Sequence, residues 1–168
     1  MNGITDAITD FFGPRFKIIS VFICALLPIV ELRGAVPLGI VQGIDPVITF
    51  IVAFLGNMLP IPFILLFISS ILKWMKKISF LKKIVDFIEN KAQKAAEKHQ
   101  NLSFWGLVFF VAIPLPGTGG WTGALVADFL GIKFKKSLLA ISIGVFIADV
   151  IVTLIVLFFK TSLGFLLG

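Results

Sequence analysis

A chain of 168 residues that is 58% hydrophobic and only 14% charged carries more apolar surface than a soluble core of that size can absorb, so much of it is solvated by lipid. The net charge of +6 does not indicate a nucleic-acid partner, because the lysines crowd beside apolar segments as they do in cytoplasmic loops. A single cysteine, Cys24, excludes an intramolecular disulfide and says nothing about redox compartment.

The first element, Ile4 to Phe12, places Ile4, Ala7, Ile8, Phe11 and Phe12 at helical spacing and meets Gly13-Pro14. It reads as a short interfacial helix over residues 1–14. Arg15 and Lys17 before Ile18 to Leu27 loosely resemble a signal peptide, but Asp6 and Asp10 precede them and no Ala-x-Ala site follows. A first repeat then occupies residues 15–72. Its apolar arm Phe16 to Val30 is broken by Pro28 and followed by Glu31-Leu-Arg-Gly-Ala-Val-Pro-Leu-Gly39, with Gly34 and Pro37 inside. A second arm reaches Ile44. Pro46 to Leu72 follows, 27 residues without a charge, long enough to span a core of ~30 Å with tilt.

Lys73 to His99 carries eight lysines against three acids, with an apolar stripe at alternating steps of four and three. Within residues 73–101 this predicts a basic amphipathic helix on the anionic inner leaflet, flanked by Trp74 and Trp105. His99 is assigned no role. The second repeat, residues 102–168, opens with Leu102 to Ala127, a run without charge. Inside it, Pro114-Leu-Pro116-Gly117-Thr118-Gly119-Gly120-Trp121-Thr122-Gly123 crowds prolines and glycines where a membrane helix would be most regular. Broken backbone survives at membrane depth only inside protein or beside a watery cavity, so this stretch is a functional-site candidate. Gly131-Ile-Lys-Phe-Lys-Lys136 is basic again, and Ser137 to Phe159 is the last long apolar run, with Asp149 near its centre.

If 73–101 and 131–136 are both cytoplasmic, the stretch between them starts and ends on one side. Two arms of a dozen residues reach only ~18 Å each, so they dip in and return as a re-entrant hairpin. A shift of 88 positions lays Leu27-Pro28 on Leu115-Pro116, Gly43-Ile44 on Gly131-Ile132 and Gly56 on Gly144. One membrane crossing separates equivalent points, so the two halves are inverted. The predicted fold is an all-α integral membrane protein, an inverted repeat in which each half is a re-entrant helical hairpin plus a full transmembrane helix. A rival lets Phe16 to about Val36 span directly. Inverted repeats with broken helices are a transporter architecture.

The ionisable residues inside this frame are Glu31, Arg33 and Asp149, with Asn57 in the first span. A charge at the bilayer centre costs roughly 3 kcal/mol or more, so such groups face a cavity and a partner. Residues two apart on a regular helix point away from each other, which makes Glu31–Arg33 the less natural pair unless the backbone breaks there. In a functional site Arg33 would receive a phosphate or carboxylate, while Glu31 or Asp149 would exchange a proton. Backbone donors near Gly117 to Trp121 would help hold an anion. The alternative is a pair that only locks the hairpins. Asp128, five residues before Lys133, is explained by an ordinary surface pair. Enzyme readings fail on spacing: there is no phosphate loop, no Ser-x-x-Lys, no His-Glu-x-x-His and no nucleophile elbow. No metal or cofactor is expected.

The motifs Pro28-Ile-Val-Glu-Leu-Arg-Gly-Ala-Val-Pro-Leu-Gly39 and Pro114 to Gly123 resemble those of the small multidrug export protein family, over nearly the whole chain. That family is similar in outline to the DedA superfamily, also called the SNARE-associated or VTT group, whose members have facing re-entrant hairpins and are associated with lipid translocation, including undecaprenyl phosphate. The resemblance implies that Glu31 and Arg33 match the acidic and basic hairpin residues of DedA-like transporters. This chain departs from them in the second hairpin, which has Trp121 and no arginine. The expectation is an inner-membrane, multi-pass transporter using alternating access, leading with an anionic-headed amphiphile such as a polyprenyl phosphate and a proton as driving ion. Export of cationic drugs and a non-transporting membrane scaffold are the alternatives. So small a chain encloses little cavity alone, which points to a homodimer.

Overall fold

The computed structural model describes residues 2–67, 100–115 and 118–167, and every regular element among them is an α-helix. The order is α1 (Asn2–Leu26), α2 (Glu31–Val41), α3 (Pro46–Met58), α4 (Gln100–Ala112), α5 (Gly120–Phe129) and α6 (Phe134–Leu167). After Leu59-Pro60 the chain is helical again over 61–67. The basic helix expected between Lys73 and His99 lies outside the described residues. Two stretches are long and apolar enough to cross a membrane, Pro46–Phe67 and Phe134–Ser162. Only 22% and 33% of their most apolar windows are buried, whereas the core helix of a soluble protein would be mostly covered. This is a membrane protein.

One expected boundary is absent. Gly13-Pro14 does not end the first helix, because α1 runs through it with Pro14 inside. The proline ring fixes φ at a helical value, and the helix carries Pro14 at the cost of one lost hydrogen bond and crowding against the carbonyl of Asp10.

Residues Met1–Leu59 and Asp149–Gly168 form one compact unit, in which α1, α2 and α3 pack pairwise. The α1–α3 contact is backbone-close: a Cβ on Gly56 would sit 2.7 Å from the Phe22 carbonyl oxygen and 2.9 Å from Ala25 Cβ. Gly39 of α2 similarly leaves room for Thr49 of α3, whose Cγ2 would lie 2.5 Å from an added Cβ. Lys17 Nζ donates to the Gln42 carbonyl at 3.0 Å, and the Ser20 and Gln42 side chains meet at 3.3 Å. The chain therefore turns at 27–30 and comes back to where it left. A straight span from Phe16 to about Val36 is not what forms. Along its other side, the first turn of α3 faces the second half of α6. Pro46, Val47 and Phe50 together with Val150, Leu154 and Leu157 border an open groove of about 270 Å³.

Residues Pro60–Ala148 form the second compact unit. Here α4 and α5 pack on each other, and Gly144 brings α6 against α4, since a Cβ there would meet Val111 Cβ at 2.6 Å and the Val108 carbonyl oxygen at 2.9 Å.

Each unit contains the same local backbone. At the end of α2, Ile44 N–H donates to the Gly39 carbonyl (3.0 Å) and Gly43 N–H to that of Ile40 (3.2 Å). At the end of α5, Ile132 donates to Ala127 and Gly131 to Asp128, both at 2.9 Å. Both are Schellman caps, and Gly43 and Gly131 supply the left-handed residue, with φ 77° and 62°. Thr49 N–H on the Asp45 carbonyl and Ser137 N–H on that of Lys133, both 2.9 Å, then start α3 and α6 alike. Every one of these positions recurs 88 residues on. Buried positions follow suit: Glu31, Leu32, Ala35, Val36 and Gly39 in α2 match Gly119, Gly120, Gly123, Ala124 and Ala127.

Candidate functional site

The first break is built around Glu31. Pro28 contributes no N–H, Leu27 N–H donates to Cys24, and Glu31 N–H reaches back to the Leu27 carbonyl at 3.0 Å, so the reversal is completed within four residues. Glu31 opens α2 with φ 50°, the sole non-glycine among the described residues with positive φ. An L-residue in that region is strained by roughly 1–2 kcal/mol. The backbone twist changes where the side chain points. Glu31 is 3% exposed, and its Oε2 accepts from Arg33 Nη1 at 3.0 Å. The i, i+2 pair that a regular helix disfavours is therefore formed, because the helix is not regular there. Around it, Pro28 is exposed at the tip, Gly34 and Pro37 are half-buried, and Gly39 is buried against Thr49.

The second break is held by one hydroxyl. Thr118 Oγ1 lies 2.6 Å from the Ile113 carbonyl and 2.8 Å from that of Leu115, and it accepts from Leu115 N–H at 3.3 Å. Its proton serves one carbonyl at a time, and its lone pairs serve the amide. The turn around Pro114 is thus satisfied locally; Pro116 and Gly117 lie outside the described residues. Gly119 adopts φ 150° as the residue before α5, and Thr122 Oγ1 donates to its carbonyl at 3.4 Å. Gly120 and Gly123 are buried, Trp121 is half-buried, and Gly123 packs on Val111. Asp128 is half-buried on the last turn of α5, where its backbone carbonyl accepts the cap bond.

Asn57 and Asp149 are both 0% exposed. Among the described residues, the Asn57 amide and both Asp149 carboxylate oxygens form no hydrogen bond of good geometry. Thr153, one turn beyond Asp149 on the same helix, is its polar neighbour. An uncompensated buried amide costs about 1–3 kcal/mol, and a bare buried carboxylate costs more. Such groups call for a proton, a cation or a polar ligand. The sequence-predicted residues thus separate into two sets. Glu31 and Arg33 are brought together and compensate each other, while Asn57 and Asp149 belong to the same compact unit and meet no counter-charge among the described residues. Thr153 was not singled out from sequence, although its i+4 spacing from Asp149 puts both on one helical face.

A family model described as "Putative small multi-drug export protein" matches residues 31–151, from the strained glutamate to just past the buried aspartate. The chain belongs to this family. The small multidrug export description is that of a membrane transporter, in keeping with the two apolar spans. A search of curated proteins and one of solved structures returned no match.

Proposed function

We propose that the protein is a multi-pass transporter of the cell inner membrane, built as an inverted repeat, and that it moves an amphiphilic substrate by alternating access. The observation that carries this is a fully buried carboxylate, Asp149, and a fully buried amide, Asn57, that meet no counter-charge among the described residues of the apolar spans. Scaffolds have no use for so costly a pair. Two broken, self-returning helices support re-entrant hairpins, since Lys17 and Gln42 meet at 3.0 Å across the first. The inverted relation is supported by the start of α3 lying beside 150–157 of α6, as oppositely directed spans would.

Charge favours a cationic substrate exchanged for protons at Asp149. Arg33 is already matched by Glu31, which leaves the Asp149 carboxylate as the uncompensated charge of the described membrane core. A second reading, transport of an anionic-headed lipid such as a polyprenyl phosphate, draws on Arg33, whose side chain is 19% exposed, and on its likeness to the basic residue of DedA hairpins. The basic segment 73–99 would hold anionic lipid on the cytoplasmic side, and a homodimer would complete the enclosure.

Purified protein in liposomes decides between them. Proton-driven uptake of a lipophilic cation that is lost in Asp149→Asn and retained in Arg33→Lys supports the first reading. Translocation of a short-chain polyprenyl phosphate that is lost in Arg33→Ala supports the second. Neither activity from well-folded wild type removes the transporter reading.

A further inference from the structure

Hydroxyls on α6 fold back on their own helix. Ser137 Oγ donates to the Lys133 carbonyl at 3.2 Å, Ser142 Oγ to that of Leu138 at 2.8 Å and Thr161 Oγ1 to that of Leu157 at 3.0 Å, each four residues back. This is how a serine or threonine inside a helix ordinarily satisfies itself where water is absent. Thr153 does otherwise. Its Oγ1 is buried, yet it forms no such bond to the backbone carbonyl of Asp149, the acceptor four residues back. Its polar neighbour is the Asp149 side chain. That carboxyl is 0% exposed and meets no counter-charge among the described residues, so a hydrogen-bond donor is what it lacks. Thr153 is also the one polar residue lining the groove between α3 and α6. The residue is partly exposed while its oxygen is not, so the groove sees its carbon atoms and the hydroxyl is turned inward.

We propose that Thr153 is the positioning residue of Asp149: its hydroxyl donates to the carboxyl and fixes which way that carboxyl faces. A threonine in a helix divides between two χ1 wells, because one of them lets its hydroxyl reach a backbone carbonyl in the preceding turn. Here the other use of the hydroxyl wins, since a buried carboxyl is a stronger acceptor than a carbonyl already bonded within the helix. The contact is not yet a hydrogen bond of good geometry, so a modest turn of either side chain makes or breaks it. Asp149 is thereby held by a donor that can let go, as a group that takes up and releases a proton or a cation requires. The bearing on transport rests on the transporter reading; the bond between the two side chains does not.

The test is reaction of the detergent-purified full chain with dicyclohexylcarbodiimide, an apolar reagent for buried carboxyls, with the Asp149 adduct measured by peptide mass spectrometry. The carboxyl gives its proton to a reagent nitrogen and bonds through oxygen to the central carbon, so an oxygen engaged by Thr153 reacts slowly. Thr153→Val keeps the shape and removes the hydroxyl; Thr153→Ser keeps the hydroxyl and removes the methyl. Thermal unfolding and monodispersity are checked for each. Asp149 should react about tenfold faster in the valine variant and within about twofold of wild type in the serine one. A side chain that only fills space gives the reverse, a changed rate in Thr153→Ser and none in Thr153→Val, and that result overturns the proposal. If Asp149 forms no adduct in any of the three, its infrared carboxyl bands, identified by their loss in Asp149→Asn, decide instead. Bands that move in Thr153→Val and stay in Thr153→Ser support the bond; bands that move in both or in neither overturn it. A confirmed bond beside liposomes that transport nothing would keep Thr153 in its role and remove the transport reading.

Discussion

Glu31 and Gly119 are 88 residues apart in sequence, open the second arm of equivalent broken helices, and share a positive φ, 50° and 150°. The two remaining positive-φ residues among those described, Gly43 and Gly131, have the same spacing. The backbone plan thus asks for an unusual conformation at this point in each half. In the second half a glycine takes up a conformation open only to glycine; in the first a glutamate takes up a left-handed one under strain. A strained residue is held in place by what its side chain does, and here the side chain meets Arg33.

Glu31→Gly and Glu31→Ala both remove the carboxylate and differ in how well they tolerate φ 50°. The glycine variant should be the more stable of the two by about 1 kcal/mol, read from thermal unfolding in detergent. Equal stabilities would mean that the backbone at this position is not left-handed.

Gly43→Ala and Gly131→Ala meet no atom within 4 Å, so their cost is conformational only, about 1–2 kcal/mol each and similar for the two. Gly56→Ala and Gly144→Ala fail differently. Their added carbons collide with backbone of the neighbouring helix, so the helices must part, at a cost of roughly 1–3 kcal/mol. Thermal unfolding of the four variants separates the two mechanisms, since a D-alanine at the first two positions should restore stability and at the last two should not.

Thr118→Val removes the hydroxyl that closes the second break, at a cost of about 0.5–1.5 kcal/mol locally. Thr118→Ser keeps the hydroxyl. Hydrogen exchange at Leu115 and Thr118 should accelerate in the valine variant and stay near wild type in the serine one.

Much of this was legible in the residues because prolines and glycines fix backbone locally. Pro28, Pro114 and the Gly43 and Gly131 turns fall where punctuation places them, and charge-free runs mark both spans. Gly13-Pro14 misled because a proline can be absorbed within a helix. The Glu31–Arg33 pair was disfavoured by regular helical geometry, and no sequence pattern announces a left-handed glutamate. Thr153 and the groove depend on which helix passes which, a tertiary fact with no one-dimensional signature. Thr49 and Ser137, both fully buried at equivalent starts of the two spans, escaped notice for the same reason.

The claim beneath the whole account is that the two halves lie inverted in the membrane, and cysteine accessibility tests it most directly. In a Cys24→Ser background, single cysteines replace Asp45 and Lys133, the residues that begin the two equivalent spans. With a membrane-impermeant thiol reagent on intact cells, the account predicts labelling at position 45 and none at 133 until the membrane is opened. Labelling of both from the same side would contradict the inverted repeat and the alternating-access mechanism built on it.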